Sequence, residues 1–214
     1  MIRYMIDHPG KIWIPFMEHV ELVLITLVIS IAVAVLLMEI SVYRKSLENV
    51  FHNVFSVIYS IPSLALFAIL IPVTGLGMKT AVIVLVAYNQ YILLRNFMTG
   101  IHEVDPSVQE AARGIGMTPH EVLWRVQIPL AKKSIFAGIR LAVVSTIGIG
   151  TIASAVNAGG LGDLLFEGLR TMNVSKILWG SLLSAGLAIL VNAILKVMEG
   201  KTNVAADVNV SSGK

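Results

Sequence analysis

The chain has 214 residues, 56% of them hydrophobic and only 14% charged, with a mean hydropathy of +0.82. That balance excludes an ordinary soluble domain, whose surface needs more charge. A net charge of +3 gives no footprint for nucleic acid, and the absence of cysteine excludes disulfides, thiolate metal sites and cysteine nucleophiles.

Met1 to Ile14 hold Asp7, His8, Pro9 and Gly10 and no long apolar run, so the first spanning helix is expected to direct insertion itself. Five segments reach spanning length. The first is Leu22 to Met38, bracketed by Glu21 and Glu39. The second, Val54 to Val73, contains Pro62 within Ser60-Ile61-Pro62-Ser63 and ends at Pro72. Proline removes a backbone donor and clashes with the preceding turn, so the span is expected to carry either a static kink or a hinge or pathway-lining break there, with the Ser60 and Ser63 hydroxyls re-satisfying the freed backbone. The third span, Thr80 to about Phe97, carries Tyr88, Asn89, Gln90 and Tyr91 in its second half. Tyr88 and Asn89 join Ser60, Pro62 and Ser63 as pathway or hinge candidates. Phe55, Tyr59, Tyr88 and Tyr91 are aromatics able to line a path for a quaternary ammonium ligand, although span aromatics more often serve packing.

Between the third and fourth spans lies a polar island with explicit helix signals. Asp105-Pro106 supplies an N-cap followed by proline at the first helical position. The helix then runs to Arg113 and stops at Gly114 and Gly116. Thr118-Pro119-His120-Glu121 is a capping box for a second helix, which is expected to end before Pro129. Ala111 and Ala112 allow close approach of another surface, with Glu110 and Arg113 as polar contacts at its rim.

The fourth span, Ile135 to Val156, is set on a ruler of small residues: Ser134, Gly138, Ala142, Thr146, Gly150, Ser154 and Ala158. In lipid, close backbone approach through such residues holds helices together. Arg140, one turn inside this span, is expected to snorkel or to form a structural ion pair. After it come Gly159, Gly160 and Gly162, expected as the flexible lead of an amphipathic helix. In that helix Leu161, Leu164, Leu165, Leu169 and Met172 share a face opposite Asp163, Glu167 and Arg170. The fifth span, Ile177 to about Met198, echoes the ruler with Gly180, Ser184, Ala188 and Asn192. Residues 1–200 thus form one transmembrane domain, and 201–214 a polar tail expected to be disordered.

Lysine and arginine bias sets the orientation. With the N-terminus outside, the inner side carries ten basic residues (Arg44, Lys45, Arg95, Arg113, Arg125, Lys132, Lys133, Lys196, Lys201 and Lys214) against five outside (Arg3, Lys11, Lys79, Arg170 and Lys176). The positive-inside rule therefore predicts N-out, C-in, with the island in the cytoplasm. The fold expected is an all-α integral membrane protein of about five transmembrane helices. A secondary transporter would want inverted repeats or acidic residues near the midplane, and Asp and Glu here lie near or beyond span ends. No Walker A string or HExxH motif points to an enzyme, and the five histidines do not cluster.

The string Glu110-Ala111-Ala112, Gly116, Val126, Ile128 and Pro129 resembles the EAA loop of ATP-binding-cassette importer permeases, whose pattern is EAA, three residues, glycine, nine residues, then I-x-L-P. Valine and isoleucine replace the pattern's isoleucine and leucine. The resemblance extends from about Glu18 to Met198. It implies that Glu110, Ala111, Ala112, Arg113, Gly116 and Pro129 belong to a coupling helix docking on a separate ATP-binding subunit, which holds ATP and magnesium. No cofactor is implied for this chain, nor any metal. The other partners implied are the lipid bilayer, a second or related permease copy and a separate extracytoplasmic receptor. Ser60 to Phe67, Arg95-Asn96 and Asn157-Ala158-Gly159-Gly160-Leu161-Gly162 resemble the osmoprotectant branch, which serves glycine betaine, carnitine and choline. Methionine importer permeases share a similar glycine string and size and are the alternative. The resemblance places the chain in the cell membrane and Gly159, Gly160 and Gly162 at an outer gate.

Overall fold

Every regular element is a helix among the residues described, which in this computed structural model are 2–211 for the backbone and 4–200 for side chains. A short α1 (Ile2–Asp7) precedes α2 (Gly10–Tyr43), whose apolar stretch is the first span. α3 (Lys45–Ser60) and α4 (Ser63–Thr74) follow, then α5 (Met78–His102). The island supplies α6 (Pro106–Gly114) and α7 (Pro119–Val122). α8 (Ile128–Ile152), α9 (Leu161–Arg170) and α10 (Val174–Ser211) complete the chain. Four helical stretches are long and apolar enough to span by themselves, and the α3–α4 pair makes a fifth.

That pair corrects the expected second span. Rather than one kinked helix, it is two helices meeting at 102°. Ile61 takes extended dihedrals (φ −73°, ψ 132°), as the residue before a proline must. The hydroxyls of Ser60 and Ser63 do not repair the break. Ser60 Oγ donates back to the Ser56 carbonyl, while the Ile61 carbonyl is satisfied by the hydroxyl of Tyr88 on α5.

α5 is the central helix, packed on α2, α3, α4 and α8. One apolar cluster centres on Leu93, Phe97, Leu123 and Ala142, and a second on Leu22, Phe67, Val84 and Ala153. A polar lock ties three spans together. Asn89 Nδ2 donates to Ser30 Oγ at 3.1 Å and to Thr146 Oγ1 at 2.9 Å. Gln90 Nε2 donates to the carbonyls of Ser30 and Val86 at 3.2 and 3.1 Å. Interhelical bonds in membranes average about 0.6 kcal/mol each. Asn89→Ala is therefore expected to cost about 1–2 kcal/mol once the vacated space is included. Thermal unfolding in detergent reads this out, and an unchanged midpoint would contradict the lock.

The ruler of the fourth span faces inward. Gly138, Ala142, Thr146, Gly150, Ser154 and Ala158 are buried and Ser134 half-buried. An added Cβ at Gly138 would sit 2.7 Å from the Cβ of Asn96 on α5, so only glycine permits this approach. The echo in α10 is shorter than expected: Gly180 abuts Leu165, Ser184 and Ala188 are half-buried, and Asn192 is exposed. Arg140 pairs with Glu199 on α10, the structural ion pair expected of it. The tail expected over 201–214 lies outside the residues whose side chains are described; the helix itself continues to Ser211.

Candidate functional site: the island, the broken span and the glycine string

The island's caps form as its sequence dictates. Asp105 Oδ1 accepts the Ser107 amide at 2.8 Å, and hydrogen bonding from the Ser107 side chain, with that amide second, holds the carboxyl below the usual aspartate range. In the capping box, Glu121 N donates to Thr118 Oγ1 at 3.3 Å and Thr118 N to Glu121 Oε2 at 3.0 Å. α6 stops at Gly114, and Gly116 sits at φ +92°, where a side chain would be strained.

Pro129 does not end the second island helix. α7 passes through a π turn (Leu123–Gln127) directly into α8, giving one continuous path over Pro119–Val156. The wider turn is the physical reason. Proline offers no donor, and its ring would strike the carbonyl four residues back in a regular helix. The Ile128 amide reaches instead to the Leu123 carbonyl, five residues back.

The two alanines of the island face opposite ways. Ala112 is buried, 6% exposed, whereas Ala111 is exposed. Only Ala111 is open to a partner. It lines up with Val108 (41% exposed) and Ile115 (78% exposed) at i, i+3 and i+7 spacing, an apolar stripe of helix-in-groove type. Glu110, Arg113 and Gly116 are exposed around it. Gln127 Nε2, in the turn that leads into α8, donates to Gln109 Oε1 on α6 at 3.0 Å, and His120 Nδ1 lies 2.8 Å from Glu39 Oε1 on α2. A groove of about 500 Å³ runs beside it, lined by Tyr43, Arg113, Met117 and Pro119 among others.

At the broken span the structure gathers Ser60, Pro62, Ser63 and Tyr88 around one cavity. Asn89 stands apart, buried in the polar lock. Tyr59, one of the four aromatics expected to be able to line a path, also lines the cavity, whereas Phe55 and Tyr91 are not in its lining.

The glycine string is gripped rather than a flexible lead. The Gly160 amide donates to Glu18 Oε2 at 3.0 Å. Gly159 and Gly160 have φ of +75° and +89°, and added Cβ atoms would meet Glu18 Oε2 at 2.6 Å and His19 Nδ1 at 3.0 Å. At Gly162 a Cβ would lie 1.9 Å from the Thr151 carbonyl oxygen. Sequence reasoning missed Glu18 and His19; the available signal was a charged–polar pair opening an otherwise apolar run. Nearby, burial and the neighbouring Glu18 and Glu167 carboxylates push the Asp163 carboxyl up. On α9, Leu161 and Leu164 are buried, Leu165 is half-buried and Leu169 is exposed. The helix ends at Arg170, and Met172, beyond it, is exposed with φ +51°.

Residues 26–201 match the family described as binding-protein-dependent transport system inner membrane component. The chain belongs to that family. Among relatives of this inner-membrane component is the choline transport system permease protein OpuBB of Bacillus subtilis, 34% identical over 94% of this chain and 93% of its own length. Another is the glycine betaine/carnitine/choline transport system permease protein OpuCB of the same organism, 35% identical over the same shares. The fold is similar to that of a chain in an inward-facing MetNI methionine ABC transporter, with a TM-score of 0.80, 20% identity, and coverage of 89% of this chain and 95% of that one. Membership of an inner-membrane family agrees with the apolar helices, and the chain is a multi-pass membrane protein.

Proposed function

We propose that this chain is the permease subunit of an ATP-binding-cassette importer for trimethylammonium osmoprotectants such as glycine betaine, carnitine and choline. The observation that carries the reading is its similarity, along nearly its whole length, to permeases named for choline and for glycine betaine, carnitine and choline. The methionine transporter shares the fold at low identity, which speaks to architecture and not to substrate. Hydrolysis belongs to a separate subunit carrying ATP and magnesium, a separate receptor delivers substrate, and two permease copies or a related pair enclose the path. The N-terminus lies outside and the island inside.

In this scheme the Val108–Ala111–Ile115 stripe seats α6 in a groove of the ATP-binding subunit, with Glu110 and Arg113 at its rim. Displacement of α6 reaches α8 through the Gln109–Gln127 bond and α2 through His120 and Glu39. Rigid helices carry the motion onward, and Gly159 and Gly160, held on Glu18 and His19, act at the outer gate with Gly162, which packs on Thr151. ATP-driven choline uptake into proteoliposomes containing the full complex is expected to be competed by glycine betaine or carnitine and unaffected by methionine. Competition by methionine alone would overturn the substrate reading.

A further inference from the structure

The break at Ile61-Pro62 opens a cavity of about 300 Å³. It is bounded by Tyr59, Tyr88 and Ile149 and by the residues from Ser60 to Ser63, with no charged residue in the lining. The aromatic wall is braced. Tyr59 meets Tyr88 edge-on, with centroids 5.7 Å apart, and stacks on Tyr91 at 4.9 Å. The Tyr88 hydroxyl is engaged by the Ile61 carbonyl, and the Tyr91 hydroxyl accepts from Arg95 Nη1 at 3.1 Å. These bonds pin Tyr88 and Tyr91, and Tyr59, 39% exposed, packs against both. Tyr88 also lies near the middle of α5, so the cavity is at mid-depth of the bundle.

This wall favours one kind of ligand. A bare metal ion or a primary ammonium needs oxygen acceptors or a carboxylate to replace its water. A methylated quaternary ammonium donates no hydrogen bond, is weakly hydrated, and is attracted to ring faces. A site without a carboxylate binds such a cation weakly enough to release it, as a translocation path requires. We infer that Tyr59, braced by the buried Tyr88 and by Tyr91, forms a transit subsite for the trimethylammonium group of the substrate at the broken span, an inference that rests on the substrate reading above.

The test uses the full complex in proteoliposomes and measures choline uptake and ATP hydrolysis together. Tyr59→Leu is expected to lower maximal choline uptake about tenfold while receptor-stimulated ATP hydrolysis is kept, so that more ATP is spent per choline. Tyr59→Phe, which keeps the ring face, is expected to restore uptake to within about twofold. Wild-type uptake and ATP cost in Tyr59→Leu would overturn the subsite, as would an equal fall of uptake and hydrolysis in both variants. A second measurement stands apart from transport. Because the chain has no cysteine, Ser60→Cys gives a unique label in the cavity. Tetramethylammonium is expected to slow its alkylation and methylammonium to leave it unchanged; equal effects of the two would contradict the subsite. Absence of any quaternary ammonium uptake by wild type would refute the substrate reading itself, and the alkylation result would then decide the subsite alone.

Discussion

Ala111→Arg is expected to abolish ATP-driven uptake while leaving the chain inserted and as stable as wild type. Position 111 is exposed on α6, between Val108 and Ile115, so the isolated chain accommodates a longer side chain there without clash. A partner groove does not. Seating an unpaired guanidinium in an apolar contact costs about 3 kcal/mol, or roughly 100-fold in affinity. Ala112→Arg is expected to behave differently. Ala112 is buried against the island, so the arginine should lower the thermal midpoint of the isolated chain before any partner is added. Co-purification with the ATP-binding subunit and a thermal melt in detergent separate the two effects. Normal association of Ala111→Arg would remove α6 as the docking element.

Gly162→Ala has the largest expected effect on stability. The added methyl would sit 1.9 Å from the Thr151 carbonyl oxygen and 2.3 Å from Ser154 Oγ. Since the first of these is backbone, α9 must move away from the end of α8. Overpacking of this kind is expected to cost at least about 3 kcal/mol, with most of the chain lost to aggregation or degradation. Gly186→Ala is the comparison, because nothing lies within 4 Å of its added methyl. In a helix interior that change is expected to be neutral or to stabilise by up to about 1 kcal/mol. Equal expression and equal melting of the two variants would show that the α8–α9 approach is looser than described.

Local signals in the sequence reached much of this architecture. The apolar runs locate the spans, Asp105-Pro106 and Thr118 to Glu121 start helices where expected, and the ruler of small residues is the buried face of α8. What stayed hidden depends on contacts between distant residues. Pro62 marks a break, but the 102° bend and its repair by Tyr88, 27 residues away, come from packing of α4 against α5. A rule for proline ends a helix at Pro129; the π turn that lets it continue is visible only once the chain is built. Composition treats Ala111 and Ala112 alike, and only the rotation of α6 on the bundle separates the exposed one from the buried one. The grip of Glu18 on Gly160 joins residues 142 positions apart, beyond any pattern in a single chain.

The family-level reading and the geometry meet at the exposed stripe of α6. Because no native cysteine competes, Ala111→Cys provides a single reactive thiol there. In the assembled complex, a short cross-linker on this thiol is expected to capture the ATP-binding subunit, and nucleotide binding is expected to change the yield. A complex that transports normally yet gives no cross-link from position 111, with or without ATP, would contradict the claim that force enters through this helix.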